Sequence, residues 1–152
     1  MRDRPQRLSP PSSSGALFKR ATAPLQRKKL REIAERDAVY LRLIRQCPCL
    51  KCGLDPCYEA SHCRLQSAAH GKRGGIAKTP ADRWALPLCG SCHRTDKDAL
   101  HQIGEGLFWH IAGLDPLFIA ERLYAARGDV VAMRAVVFAA IASRRADPNW
   151  EF

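Results

Sequence analysis

Two C-x-x-C pairs, Cys49-Leu50-Lys51-Cys52 and Cys89-Gly90-Ser91-Cys92, constrain this chain more than any other feature. A C-x-x-C turn presents two thiolates to one ion, and two such turns close a tetrahedral four-sulfur site. The pairs are 36 residues apart, longer than a minimal ribbon, so the closed loop must hold structure of its own. Pro48 and Gly53 beside the first pair, and Gly90 within the second, suit tight metal-knuckle turns. The spacing predicts one structural zinc on Cys49, Cys52, Cys89 and Cys92. The alternative, a redox dithiol, usually shows a single pair at a helix start.

All seven cysteines fall between residues 47 and 98. The chain shows no apolar segment of the secretory kind after its basic N-terminus, so a disulfide framework is not expected. Cys47, Cys57 and Cys63 read as small buried hydrophobes. Cys47 stands two residues from Cys49 and could compete as a ligand.

A length of 152 residues fits about one domain. The longest apolar run, Ala135 to Ala142, is far short of the ~20 residues that span a bilayer. The expected location is the cytoplasm, with no membrane partner. The formal charge is +10, and it is uneven. Residues 1–46 hold 12 Lys and Arg against 4 Asp and Glu, whereas residues 47–152 hold 13 against 11. Such a surplus calls for a polyanionic partner, and nucleic acid is the first candidate.

Four segments follow from pattern. Residues 1–24, with four prolines and a Ser-Ser-Ser-Gly run, read as a disordered basic tail. Residues 25–46 read as a basic helix, with Leu30, Ile33, Tyr40, Leu41 and Ile44 on one face. Its Arg27, Lys28, Lys29 and Arg31 are candidate phosphate contacts. Residues 47–112 read as a zinc-stabilised core. It would carry strands within Cys57–Leu65 and Trp84–Leu88, a long loop holding His70, Lys72 and Arg73, and a helix over Ala99–Ala112. Lys72 and Arg73 join the candidate nucleic-acid contacts. Residues 113–152 read as a helical extension, with Gly113 as a C-cap, Asp115-Pro116 opening one helix and Asp129 capping the next. The whole is an α+β arrangement.

Two histidines stand out. His62 lies inside the cysteine-closed loop, and His93 directly follows Cys92. Four sulfurs need no fifth ligand, so His93 is a candidate for a second metal ion.

Taken together, these residues resemble the HNH family of ββα-metal endonucleases, in its zinc-knuckle branch. Cys49-x-x-Cys52, Ser61-His62 and Leu88-Cys89-x-x-Cys92-His93 fill that branch's pattern in order. The stretches from Ala77 to Cys89 and from His101 to Trp109 are similar to phage-type relatives of the recombination-enhancement nucleases. The resemblance spans about residues 47–116. It implies a ββα-metal (HNH) core and a DNA endonuclease of bacterial or phage origin that hydrolyses phosphodiester bonds. His62 would be the general base and His93 the ligand of a catalytic magnesium or manganese ion. It also admits a recombinase filament as partner. The chain departs from the family at Ser61, where a ligand is common, at Trp84, where Asn is common, and at Lys97, where a second helix His occurs. Asp82 is then a candidate to orient His62 or reach the metal. His101, two turns beyond His93, serves as a further ligand only if the helix bends. The alternative reading is a non-catalytic zinc-knuckle module that binds nucleic acid. A third is a zinc-stabilised interaction protein whose helices over residues 99–146 form the working surface.

Overall fold

A computed structural model describes residues 36–72 and 80–146. The expectations for the tail, for most of the basic helix with Arg27, Lys28, Lys29 and Arg31, and for Arg73 lie outside the described residues. Within them the chain is mixed α+β, with five α-helices, a two-stranded antiparallel sheet and a four-cysteine cluster.

Helix α1, Ala38–Ile44, starts where Asp37 accepts the Tyr40 backbone N–H at 2.9 Å. Side-chain capping of this kind satisfies a donor the helix cannot pair internally. It buries Tyr40 and Ile44. The Tyr40 hydroxyl donates to the Ala85 carbonyl at 3.1 Å, and its ring meets Tyr124 edge-on at 5.1 Å.

Strands β1, Glu59–His62, and β2, Ala85–Leu88, pair from Glu59 opposite Leu88 to His62 opposite Ala85. Both are shorter than or at the edge of their expected spans, for identifiable reasons. Tyr58 has a left-handed backbone, φ 65°, which breaks the extended run before Glu59. Beyond His62, the Arg64 N–H turns to the Glu105 carboxylate at 2.8 and 2.9 Å and leaves the ladder. Trp84 ends a 3₁₀ turn, Asp82–Trp84, that leads into β2.

The expected helix over Ala99–Ala112 is two helices. A π-helical turn, Ser91–Thr95, comes first and ends at the extended Asp96. Helix α2, Leu100–Ile103, follows, and Gly104 at φ 86° stops it before α3, Glu105–Ala112. Only glycine takes that conformation without strain. The later punctuation is as expected. Gly113 is left-handed at the end of α3. Asp115 accepts from the Leu117 and Phe118 N–H groups, with Pro116 opening α4, Pro116–Ala125. Asp129 accepts from Val131 and Ala132 at the start of α5, Val130–Ala146.

One buried cluster joins these parts. Ile44, Leu50, Leu86, Leu88, Phe108, Leu123, Met133 and Val137 all belong to it. The helical extension is therefore built onto the cysteine-bearing core. Arg134 of α5 donates to both Asp55 carboxylate oxygens at 2.7 and 2.5 Å and to the Gln46 carbonyl, and Arg144 donates to the Leu50 and Lys51 carbonyls. Both arginines clamp the loop that carries the first cysteine pair. Val131 is 73% exposed, because α5 turns Met133, Val137 and Ile141 inward. No helix among the described residues is long and apolar enough to cross a membrane.

Met133→Ala tests the continuity of this core. It removes a fully buried side chain that α5 lends to the rest. Chemical denaturation should show a loss of about 2–5 kcal/mol, whereas a loss under about 0.5 kcal/mol would mark α5 as a separate appendage.

Candidate metal centre and histidine cleft

The four sulfurs of Cys49, Cys52, Cys89 and Cys92 lie within 4.8 Å of one another, with Cys52 and Cys89 at 3.6 Å. Zinc–sulfur bonds of ~2.3 Å in a tetrahedron set sulfurs ~3.8 Å apart, so this donor set fits a structural zinc. The first turn is shaped by Gly53, φ 79°, whose N–H donates to the Cys49 carbonyl at 2.9 Å. In the second, the Cys92 N–H donates to the Cys89 sulfur at 3.5 Å. Gly90 differs from expectation, since its backbone is ordinary right-handed helix. Its role is spatial: a Cβ there would stand 3.2 Å from the Glu59 Oε1 atom.

Clustered thiols without a cation cannot all ionise. The hydrogen bond from Cys92 pulls the Cys49 thiol down to about 4, and the same contact drives Cys92 up. Desolvation and the neighbouring Cys49 and Cys89 thiols also raise the Cys52 thiol, the exposed member of the group. A dication removes this conflict by stabilising every thiolate at once.

Cys47, Cys57 and Cys63 are buried and stand outside the four-sulfur group. Burial is the main cause that raises their thiols, to about 11, 12 and 12. Cys47 points its sulfur at the Leu43 carbonyl, so it does not compete for the metal.

His62, His93 and His101 line one cleft of about 420 Å³, with Arg64 and Glu105 at its wall. Each histidine is held by a different element. His62, the last residue of β1, places Nε2 2.9 Å from Asp82 Oδ1. Asp82 is 2% exposed and engaged throughout, with the Asp37 N–H at 2.7 Å on Oδ2 and Arg36 at 3.6 Å. A carboxylate so enclosed accepts the Nε2 proton and leaves the lone pair of His62 on Nδ1.

His93 sits in the π-helical turn, and its Nδ1 is 2.8 Å from Glu59 Oε2. The other Glu59 oxygen takes Arg94. A carboxylate on one imidazole nitrogen fixes the tautomer that offers the other nitrogen to a metal. That nitrogen, Nε2, is 3.0 Å from His101 Nε2. The chain does bend between the two histidines, at the extended Asp96, and this bend brings His101 across. Two nitrogens each ~2.1 Å from one ion at a right angle would also be ~3.0 Å apart. Burial is the first cause that lowers the His101 pKa, followed by His93, Arg64 and Arg94. A neutral imidazole is the form that binds metal.

One expectation changes. Lys72 is not a surface cation: it is 7% exposed, donates to the Leu65 carbonyl and faces the Trp84 ring at 5.8 Å. Its ammonium ties down the turn at Ser67–Lys72 instead of reaching for phosphate. Asp82 orients His62 and does not meet His93 or His101 in any hydrogen bond. His70 is paired with Glu121 at 3.0 Å and does not line the cleft. Sequence reasoning gave no role to Glu59, whose carboxylate crosses 34 residues to His93. Its one sequence signal is an acid in a short strand, three residues before His62.

Set against protein-family models, curated proteins and solved structures, the chain matches none.

Metal analysis of protein purified without chelator should return one zinc per chain, lost in Cys89→Ser. Native protein should leave Cys47, Cys57 and Cys63 unlabelled by iodoacetamide at pH 8, where neutral buried thiols are inert. Rapid labelling of all seven would contradict the burial described above.

Proposed function

We propose that this chain is a metal-dependent DNA endonuclease of the HNH type. The observation that carries the reading is the meeting of His62, paired with Asp82, with His93 and His101 in one cleft. A zinc-knuckle binder has no use for such convergence. Phosphodiester hydrolysis needs a base for water and positive charge where negative charge develops.

His62 takes a proton from water at Nδ1, while Asp82 holds its Nε2 proton and steadies the imidazolium that forms. The hydroxide attacks phosphorus as the P–O3′ bond breaks, and the departing 3′ oxygen takes a proton from solvent. His93 and His101 would hold one divalent ion, which would supply positive charge to stabilise the negative charge that develops in hydrolysis. Glu59 orients His93 for that task. Two imidazoles are a softer donor set than magnesium prefers, so manganese or another first-row ion ranks ahead of it. Arg64 at the wall of the cleft adds fixed positive charge.

Plasmid cleavage with added manganese tests the reading. His62→Ala should reduce the rate by roughly 10²–10⁴-fold with zinc content unchanged. His93→Ala should weaken the response to added manganese and leave the structural zinc in place. Glu59→Gln should raise the manganese concentration needed by about 10-fold or more. The second reading, a non-catalytic nucleic-acid module, is favoured by Ser61, a poor ligand where the family has one. It requires DNA binding with no cutting at all. Parent and His62→Ala proteins that cut equally would remove His62 from the chemistry.

A further inference from the structure

Arg83 and Arg127 converge on a single ring. The Arg83 guanidinium lies 5.5 Å from the Tyr124 centroid and that of Arg127 lies 4.4 Å from it. Arg83 also covers Trp84 at 5.0 Å, and the buried Lys72 lies over that same ring. The two guanidinium carbons are thus at most about 10 Å apart. Both arginines are exposed, and neither has a carboxylate partner among the described residues.

Three other cations of the described chain are handled differently, although Arg42 and Arg122 also have no acid partner among the described residues and Arg122 lies over the Phe118 ring at 5.5 Å. Lys51, Arg94 and Arg134 are each neutralised by an acid. Here two charges and a third from Lys72 are gathered on two rings with no acid among them. The nearest acid in sequence to Arg127, Asp129, uses Oδ1 to cap α5. Asp82, beside Arg83 in the chain, is buried and shared by His62, Asp37 and Arg36. Gathering like charges costs energy unless an anion joins them. A guanidinium over an aromatic ring is held by a cation–π attraction that uses none of its N–H donors. Arg127 spends one N–H on the Tyr124 carbonyl, and the side chain of Arg83 donates to no protein acceptor among the described residues.

From this we infer that Arg83 and Arg127, braced on Trp84 and Tyr124, form a binding site for the phosphate backbone of duplex DNA. The inference rests on the reading of DNA as substrate and adds where its backbone is gripped outside the cleft. Unneutralised guanidinium groups suit phosphate oxygens. The site also joins the cleft mechanically, because Asp82 orients His62 from the same 3₁₀ turn that carries Arg83. Backbone contacts position the duplex without reading its sequence.

The test uses the full zinc-loaded chain carrying His62→Ala, so that binding is read without cutting. Fluorescence anisotropy with a 30-base-pair duplex gives the slope of log affinity against log salt. Each lost phosphate contact removes ~0.9 from that slope, so Arg83→Gln/Arg127→Gln should flatten it by about 1–2. A control pair, Arg42→Gln/Arg122→Gln, removes equal charge elsewhere and should flatten it less. Equal flattening by both pairs, an unchanged slope, or no DNA binding by the parent overturns the inference. Phenylglyoxal modification of the parent with and without duplex is a second measurement that needs no variant. DNA should protect Arg83 and Arg127 but not Arg42, and absence of that protection also overturns it. A chain that binds this way yet cuts nothing leaves the site standing and removes the nuclease reading. A chain that cuts while the slope stays put does the reverse.

Discussion

Closure of the loop between the two cysteine pairs is the constraint on which the rest depends. The sheet has only two strands of four residues each, Glu59–His62 and Ala85–Leu88, and both lie inside that loop. An isolated two-stranded sheet is marginal in water. Joining the ends of a 36-residue loop costs about 3–4 kcal/mol of chain entropy. Structural zinc in small domains supplies about 10–16 kcal/mol of apparent binding. A zinc ion held by these four sulfurs would exceed the closure cost several-fold. The same closure sets His93, one residue past Cys92, against β1.

The arginine clamps from α5 work to the same end by different means. Arg134 and Arg144 reach back to carbonyls at Gln46, Leu50 and Lys51. Those carbonyls belong to the loop around the first cysteine pair. They are otherwise hard to satisfy, because a knuckle turn pairs few of its backbone groups internally. The C-terminal helices thus support the cysteine turn through hydrogen bonds and the core through Met133 and Val137.

The imidazoles of His62, His93 and His101 line the cleft, and carboxylates outside its lining orient two of them. Asp82 fixes His62 and Glu59 fixes His93. Both acids come from short elements, a 3₁₀ turn and a strand. Gly90 leaves room for the second of them. A methyl group at Gly90 would press on the Glu59 carboxylate and, through it, on His93. Small residues near a site can therefore matter through the space they leave.

The sequence by itself determined the cysteine spacing, the helix caps at Asp115 and Asp129, and the left-handed Gly113. Each is a local rule: an ion bridges a fixed turn, a carboxylate meets free N–H groups, a glycine accepts positive φ. It also put His62 and His93 forward, since both stand next to fixed points of the chain. Only the tertiary structure decided the pairings made across the chain. Glu59 to His93 spans 34 residues and His62 to Asp82 spans 20. His101 reaches His93 because Asp96 is extended, a bend no periodicity announces. Lys72 went inward because a carbonyl and an aromatic ring were there to receive it, and Arg83 and Arg127 met because two elements brought them to Tyr124. Local chemistry is written along the chain, whereas the partner of a side chain depends on which distant element folds against it.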